Sequence, residues 1–420
     1  MNGPRAAYLH LPFCHRRCFY CDFPVVPLGD RADGARSRSI ATYLDQLGSE
    51  IAASPDGPPL STVYLGGGTP SMLTAEQVER LLTALRSRYG LAPGAEITME
   101  LDPAGFDRPR LAGYLAAGVN RVSLGGQSFD DGVLLALGRR HRARDLHEAA
   151  GWLRQARHTG ELRSWSLDLI QGLPLGGATT PRPQAGTVRR HWRRQLEQAV
   201  AEEPPHLSVY DLIIEPGTVF SRQRESGALR LPDDDLAADL MEITWERLTA
   251  AGYGHYEISN YALPGHASRH NRVYWSGAGW WGFGMGATSA PAGLRRARPR
   301  TRAGYAGWLS RMGNAEPDAP DEVGGVPLED RLLVGLRRRE GVNLAALATE
   351  AAPGLDPPRL QELRRRLTPF ERQGLLQVEG ERWRLSDPAG LALSNAVLRE
   401  LLAWWEEEGA PAEPRPRAGC

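Results

Sequence analysis

Three cysteines lie within eight positions near the start of the chain, at Cys14, Cys18 and Cys21. Three thiolates can ligate three irons of a [4Fe–4S] cluster, whereas structural clusters of this kind use four cysteines. The fourth iron would then be free to bind an exchangeable ligand, as the open position of a catalytic metal site does. The spacing therefore predicts a cluster with one open iron.

Two other interpretations of these cysteines stay open at the level of sequence. A zinc site built on three cysteines usually recruits a distant histidine or a fourth cysteine, and the remaining cysteine, Cys420, ends a proline-rich tail. A disulfide framework needs paired cysteines in an oxidising compartment. With four cysteines and no secretory signal pattern, we expect a cytoplasmic protein. No apolar run approaches the ~20 residues of a membrane-spanning helix.

The charged residues limit the partners that the chain can recognise. Its 50 basic residues are all arginine and are balanced by 50 acidic residues, so the formal net charge is zero. Zero net charge gives no electrostatic reason to expect a nucleic-acid partner. The absence of lysine excludes Schiff-base and lysine general-base mechanisms. A ligand that carries carboxylates would have to be held by arginine, which suits bidentate pairing.

The first half of the chain alternates short apolar runs with amphipathic stretches. Such alternation predicts βαβ units and a parallel sheet. Six units are too few for a closed eight-stranded barrel, so we predict an α/β fold with a partial (β/α)6 barrel, similar to a TIM barrel but open on one side. The predicted strands are 7–11, 62–65, 97–101, 121–124, 166–170 and 207–212, and the predicted helices between them are 40–53, 75–88, 109–117, 143–155 and 188–201.

Polar residues follow the predicted strands at their carboxyl ends, where barrel enzymes build their sites. The glycine-rich run 66–69 ends the second strand, Glu100 and Asp102 end the third, Gln127 follows the fourth, and Asp168 lies on the fifth. Glycine allows backbone N–H groups to approach a ligand closely. A carboxylate inside an apolar strand needs a partner. These residues are expected to share one rim of the barrel.

The chain is predicted to divide into a barrel with an extension at 1–290, a linker at 291–327, a smaller unit at 328–405 and a disordered tail at 406–420. Helical patterns at 330–338, 344–350 and 359–373, followed by a hairpin pattern, make the smaller unit similar to a winged helix. Gly- and Pro-rich residues 174–186 predict a surface loop.

The cysteine run and the glycine run together resemble those of the radical S-adenosylmethionine (SAM) superfamily. The runs that begin at His206 and Gly252 narrow the resemblance to the oxygen-independent coproporphyrinogen III oxidase family, which includes oxidases and heme chaperones. The resemblance implies a radical SAM barrel with a smaller C-terminal helical domain. It also implies that Cys14, Cys18 and Cys21 hold a [4Fe–4S] cluster and that SAM contacts Tyr8, Tyr20, Gly67, Gly68, Thr69, Glu100, Gln127, Arg139 and Asp168.

Two features favour the heme-chaperone branch of that family. Phe23 occupies the place where the oxidase branch has a further cysteine, and His270 opens the run His-Asn-Arg-Val-Tyr-Trp typical of the chaperones. The resemblance implies that His270 contacts heme, because imidazole is a usual axial ligand of heme iron. It implies a protein that binds heme and delivers it to acceptor hemoproteins, with a cellular electron donor if SAM is cleaved. A homodimer stays open.

Two other functions remain open from the sequence. The first is a coproporphyrinogen III oxidase, which would form protoporphyrinogen IX by radical SAM chemistry. The second is a radical SAM enzyme with another substrate. One departure from the family pattern is the insertion at 174–186, where relatives carry a Gln-Thr pair soon after Pro174. The glycine-rich run 282–289 superficially suggests a dinucleotide loop, which we reject because no strand is predicted before it.

Overall fold

The computed structural model describes residues 3–175, 183–291, 293, 295–312, 326, 328–350 and 357–407. Its strands are β1 (Ala6–Leu11), β2 (Phe13–Cys14), β3 (Val26–Pro27), β4 (Leu60–Gly67), β5 (Leu91–Leu101), β6 (Arg121–Gln127), β7 (Ser164–Gln171), β8 (His206–Asp211), β9 (Gly254–Glu257), β10 (Asn260–Ala262), β11 (Trp281–Phe283), β12 (Thr288–Ser289), β13 (Arg296–Ala297), β14 (Val342–Asn343), β15 (Leu376–Glu379) and β16 (Arg382–Leu385).

The helices of the described residues alternate with these strands. They are α1 (Arg38–Ala53), α2 (Ala75–Arg88), α3 (Arg108–Ala117), α4 (Asp131–Ala136), α5 (Ala143–His158), α6 (Ala185–Ala201), α7 (Val219–Glu225), α8 (Asp234–Ala250), α9 (Arg269–Ser276), α10 (Arg302–Met312), α11 (Leu328–Leu336), α12 (Leu344–Glu350), α13 (Pro357–Arg372), α14 (Ala389–Ala392) and α15 (Ser394–Glu407), with a short 3-10 helix at Pro70–Met72. None of them is long and apolar enough to cross a membrane.

A nine-stranded sheet in the order β11-β1-β4-β5-β6-β7-β8-β10-β9 forms the barrel. The first seven strands in this order, from β11 through β1 to β8, pair in parallel with their neighbours. Strands β10 and β9 continue the sheet in antiparallel pairing. Because β11 and β9 are the two edges, the barrel is open, which confirms the predicted fold class. All six predicted strands are present, whereas β9, β10 and β11 were not predicted. The glycine-rich run 282–289 thus begins inside β11 and ends in β12, which pairs with β13 in a separate two-stranded sheet.

The local sequence explains where the helices of the barrel begin and end. Helix α2 starts at a capping box in which the Thr74 side chain accepts from the Gln77 N–H and the Gln77 side chain accepts from the Thr74 N–H. Helix α3 starts at the Asp107 cap and ends at Gly118, whose φ of 113° favours glycine. The apolar sides of α1, α2, α3, α5 and α6 pack on the outer face of the sheet. The inner face is left for polar side chains.

The structure differs from the predicted linker at 291–327. Strand β13 and helix α10 lie in this range, and Tyr305 of α10 is fully buried. The Tyr305 hydroxyl donates to Glu50 Oε2 at 2.6 Å, and Arg298 Nε donates to Glu50 Oε1 at 2.8 Å. This buried charge pair attaches residues 296–312 to the barrel. Residues 313–325 of the predicted linker and residues 176–182 of the predicted loop lie outside the described part of the chain, and residues 185–186 belong to α6.

The C-terminal unit has a separate core built from α11, α13, α15 and the sheet β14-β16-β15. The predicted helices and hairpin are present. Helix α15 was not predicted, and it extends through Glu407, so the predicted start of a disordered tail at 406 is wrong for two residues. Residues 408–420 are outside the described chain. The unit contacts the barrel edge, where Glu257 forms a bridge with Arg338 and His255 Nδ1 lies 2.8 Å from Asp387 Oδ1.

Candidate metal centre and ligand cavity

A cavity of about 390 Å³ opens at the carboxyl ends of β4 to β8. Its walls come from the cysteine loop on one side and from the strand ends on the other, as the sequence predicted. The predicted site residues that line it are Cys14, Cys18, Tyr20, Cys21, Gly67, Gly68, Thr69, Glu100, Gln127, Arg139 and Asp168. Two predicted residues, Tyr8 and His270, do not line this cavity.

The cysteine loop is fixed by backbone hydrogen bonds. Strand β2 pairs in parallel with β3, so the segment between them folds back on itself. The Cys21 N–H donates to the Cys18 carbonyl at 3.2 Å, and the Thr69 N–H donates to the Phe13 carbonyl at 2.7 Å. The loop is therefore tied both to itself and to the glycine-rich turn after β4.

Glycine is required in that turn because the backbone approaches the cysteine loop closely. A Cβ atom at Gly68 would lie 2.6 Å from the Phe13 carbonyl oxygen and 2.9 Å from Cys14 Sγ. Gly67 has a φ of 118°, a conformation that side-chain-bearing residues rarely adopt. Its N–H donates to Glu100 Oε2 at 2.9 Å. The turn thus brings the thiol wall and the carboxylate wall of the cavity together.

The donor set of this wall fits an iron–sulfur cluster. All three thiols are free and form no disulfide. Burial raises the pKa of the Cys14 thiol to about 12, so the thiolate form needs a bound cation, and a coordinated metal supplies one. Three free thiols that line one cavity are donors of the kind that iron–sulfur clusters use.

Glu100 is held in place by two donors on the opposite wall. Tyr64 donates its hydroxyl to Glu100 Oε1 at 3.0 Å, and Gly67 donates to the other oxygen. Burial raises the pKa of Glu100 to about 7, and these two hydrogen bonds offset only part of that rise. The carboxylate would gain most from a cationic or N–H-rich ligand in the cavity.

Asp168 is the second carboxylate of this wall. Ser123 Oγ donates to Asp168 Oδ2 at 2.6 Å and Ser166 Oγ donates to Oδ1 at 3.2 Å. Burial raises the pKa of Asp168, and the serine hydroxyls work against that rise. Both oxygens accept from serine, and each still has a lone pair for a ligand hydroxyl.

Arg139 is engaged with the protein itself. Its Nη2 donates to Asp102 Oδ2 at 2.8 Å and to the Gly125 carbonyl at 2.9 Å, while Nη1 lies 3.7 Å from Cys18 Sγ. Burial alone would raise the pKa of Asp102, but Arg139 and His141 hold it well below its usual range. Arg139 Nε has no hydrogen-bond partner within the described residues. Arg139 thus brings a positive charge to the thiol wall.

Gln127 has an unusual backbone conformation at the end of β6. Its φ is 64°, one of two positive values at non-glycine residues of the described chain. The pairing of β6 with β7 shifts register between Leu124 and Gln127. Residues held in such conformations concentrate at functional sites, and Gln127 lines the cavity.

Tyr8 and His270 lie outside the cavity lining. Tyr8 donates toward His10, with its hydroxyl 3.0 Å from His10 Nδ1, and its ring lies beside Gly66. His270 is buried inside the barrel, with Nδ1 2.9 Å from Thr62 Oγ1 and Nε2 2.9 Å from the Tyr274 hydroxyl. Both ring nitrogens of His270 are therefore occupied, so heme iron could not bind it in this conformation.

Comparisons with known proteins agree with this geometry. Residues 8–173 match the Radical SAM superfamily and residues 326–392 match the HemN C-terminal domain. The chain is 40% identical over 428 residues to "Heme chaperone HemW" of Synechocystis sp., covering 96% of this chain and 98% of that one. This chain belongs to the HemW family. A HemW of Mycobacterium tuberculosis is 35% identical over 402 residues, covering 95% of both chains.

Among solved structures, the coproporphyrinogen III oxidase HemN from Escherichia coli matches with a TM-score of 0.75. The match covers 96% of this chain and 91% of HemN at 22% identity, which shows the shared fold. Membership of the radical SAM superfamily implies a [4Fe–4S] cluster and SAM as cofactors of this HemW family member.

Several lining residues of this HemW family member were not assigned a role from sequence. Tyr64 and Ser123 contact the two carboxylates, and Asp102 holds Arg139. The alternation of side chains along a strand could have found Tyr64, because it lies two residues before Gly66 and so on the same face. Ser123 could not be found without the register that places it opposite Glu100.

Proposed function

We propose that this protein is a heme chaperone that binds heme and delivers it to acceptor hemoproteins, and that it carries a [4Fe–4S] cluster and SAM. The observation that carries the proposal is the similarity to "Heme chaperone HemW" over almost the whole of both chains. The cavity supports it, because three free thiols and two raised-pKa carboxylates face the same space.

The residues of the cavity are assigned roles as follows. Cys14, Cys18 and Cys21 would hold the cluster, which would leave one iron open to SAM. Glu100 would accept from the SAM amino group, and Asp168 would accept from a ribose hydroxyl. The backbone of Gly67, Gly68 and Thr69 would contact SAM together with Tyr20, Gln127 and Arg139, while Tyr8 would support the turn from behind Gly66.

The heme-related parts of the proposal rest on the resemblance to heme chaperones. Contact between His270 and heme stays a prediction, and it requires the ring to leave Thr62 or Tyr274. Acceptor hemoproteins, an electron donor if SAM is cleaved, and a homodimer are proposed from the resemblance. The absence of the oxidase-type cysteine at Phe23 favours the chaperone over the oxidase.

The deciding experiment is anaerobic reconstitution followed by parallel assays. We expect one [4Fe–4S] cluster per chain, a change in the EPR signal of the reduced cluster when SAM is added, and a Soret band when heme is titrated. Coproporphyrinogen III should not be decarboxylated above background under reducing conditions with SAM. Protoporphyrinogen IX formed with turnover, without heme binding, would replace the chaperone with the oxidase.

A further inference from the structure

The mouth of the cavity exposes large apolar side chains to solvent. Phe23 is 51% exposed, Tyr210 is 42% exposed and Ile213 is 67% exposed, and all three line the cavity. They come from separate segments, the cysteine loop and the end of β8 with the residues after it. Within the described chain only two other large apolar side chains, Leu135 and Leu393, are exposed to this degree. An apolar patch of this kind marks a place for a ligand or partner.

Two arginines lie at the same mouth without an anionic partner. Arg16 Nη2 donates to the Arg139 carbonyl and Arg17 Nη2 donates to the Phe23 carbonyl, each at 3.2 Å. Neither guanidinium forms an ion pair with a carboxylate in the part of the chain that the structure describes. Both are exposed, and both line the cavity. Two unpaired guanidinium groups beside an apolar patch suit a flat apolar ligand that carries two carboxylates.

Three acidic side chains, Asp22, Asp211 and Glu215, also line the mouth. Asp22 Oδ2 lies 3.8 Å from Arg300 Nη2, and Asp211 accepts from the neutral Gln171 Nε2 at 2.5 Å. Within the described residues none of the three forms an ion pair with Arg16 or Arg17, so both guanidinium groups can pair with carboxylates of a ligand.

One histidine of the mouth has a ring nitrogen available for iron. His15 Nδ1 lies 3.2 Å from the Gly29 carbonyl oxygen. Because a carbonyl oxygen can only accept, Nδ1 must carry the proton, which leaves the lone pair on Nε2. Histidines that bind metals commonly donate their other N–H to a backbone carbonyl in this way. His15 lines the cavity, whereas both nitrogens of the buried His270 are hydrogen-bonded.

We propose that heme binds at this mouth, above the SAM cavity, with His15 Nε2 as its axial ligand. The macrocycle would pack on Phe23, Tyr210 and Ile213, and the two propionates would pair with Arg16 and Arg17. This inference rests on the proposed function and names the heme-contacting residues. The part of the cavity beside the strand ends, at Glu100 and Asp168, is then left to SAM.

The test is a heme titration of the anaerobically reconstituted full chain, followed by its Soret band. His15→Ala should shift the band and weaken heme binding about tenfold or more, because the axial ligand is lost. Ile213→Asp should weaken it about tenfold, because a charge replaces apolar contact area. The double variant Arg16→Glu and Arg17→Glu should weaken heme binding by a similar factor. Added salt should weaken heme binding by the unmodified chain more than by this double variant, because salt screens the arginine–propionate pairs.

Matched controls are available elsewhere on the surface. His158→Ala, Leu393→Asp and Arg108→Glu change exposed residues of the same types away from the cavity and should leave heme affinity within about twofold. Iron and sulfide content is measured for each variant, because His15 adjoins Cys14. If His15→Ala lowers the cluster content, the Ile213 and arginine variants decide the proposal.

The outcomes separate this site from the proposed function. If the unmodified chain binds heme while the His15, Ile213 and arginine variants bind it equally well, the mouth site is wrong and the chaperone function stands. If the Soret band is lost in His270→Ala and kept in the His15, Ile213 and arginine variants, His270 is the residue that binds heme. If the unmodified chain binds no heme, the chaperone function itself fails.

Discussion

The two ends of the barrel interior are built from the same strands but in opposite ways. At the carboxyl ends, glycines, a strained Gln127 and exposed apolar groups surround an open cavity. At the other end, helix α9 enters the barrel, and its first N–H groups donate to the buried Glu96, with Arg269 N at 3.1 Å and His270 N at 3.0 Å. One end is left available to ligands, and the other satisfies its polar groups internally.

The contrast teaches that a histidine cannot be judged by its sequence neighbours alone. His15 and His270 are both plausible iron ligands by residue type. Only His15 keeps a ring nitrogen free at the cavity, because its other nitrogen donates to a carbonyl. His270 also stacks on Tyr64, with ring centroids 5.1 Å apart, and Tyr64 donates to Glu100. The closed end thus supports a carboxylate of the open end.

The largest effect is expected from the thiol wall of the open end. Cys14→Ser should abolish the cluster, because three ligands are the minimum for this type of site. The [4Fe–4S] absorption after anaerobic reconstitution measures the loss. Cys420→Ser, which changes the cysteine outside the motif, should keep one cluster per chain. A full cluster in Cys14→Ser, or one zinc ion in place of a cluster in the unmodified chain, would show that the open end is not a [4Fe–4S] site.

A single methyl group should also disrupt the open end. Gly68→Ala places Cβ against the Phe13 carbonyl and Cys14 Sγ, so the cysteine loop must move. We expect at least about 2 kcal/mol of destabilisation, or most of the cluster content lost, as in other overpacked sites. Iron content and urea unfolding measure both. Gly151→Ala in helix α5, where a Cβ meets nothing within 4 Å, is the control and should be neutral or stabilising. Equal behaviour of the two variants would contradict the close approach.

At the end of the barrel that helix α9 closes, His270 should make the free energy of unfolding depend on pH. Burial lowers the pKa of His270 to about 3, so the unfolded chain takes up a proton below about pH 6.5 that the folded chain does not. Stability should therefore fall as the pH drops, by up to about 1.4 kcal/mol per unit from this group. His270→Asn should lose this contribution, while His270→Ala should cost about 2–4 kcal/mol at pH 7.5.

Urea unfolding between pH 7.5 and 5 measures that difference. His158→Ala, which removes an exposed histidine, is the control variant. If the unmodified protein and His270→Asn lose the same free energy of unfolding as the pH falls, burial of His270 does not lower its pKa. The closed end would then not differ from the open end in this respect.

The smallest expected effect concerns Glu100. With a pKa of about 7, its carboxylate is mostly ionised at pH 8 and only about one-tenth ionised at pH 6. SAM affinity should therefore fall by up to about tenfold between pH 8 and pH 6, because the proposed hydrogen bond from the SAM amino group requires the ionised carboxylate. Equilibrium dialysis of the reconstituted protein measures it. Glu100→Gln should bind SAM more weakly and with a flatter pH profile, and an unchanged profile would place the amino group elsewhere.

Much of the barrel could be predicted because its strands are short apolar runs followed by polar or glycine-rich ends. The cavity residues on those ends could be named for the same reason. Strands β9, β10 and β11 are three or four residues long, too short for a periodic pattern to show. Helix α10 was missed because its burial depends on Glu50, far away in sequence. The position of His270 depends on partners 4 and 208 residues away, and only the fold brings the second one near.

The contacts of the C-terminal unit protect an exposed sheet edge. Strand β9 would present unpaired backbone groups to solvent, and such edges template pairing with other chains. Here the Arg339 N–H donates to the Tyr256 carbonyl at 3.2 Å, and Glu257 bridges to Arg338. An open barrel gains room for a large ligand but leaves two edges unpaired. We therefore expect a chain truncated after residue 312 to aggregate through β9, which light scattering at rising protein concentration would reveal.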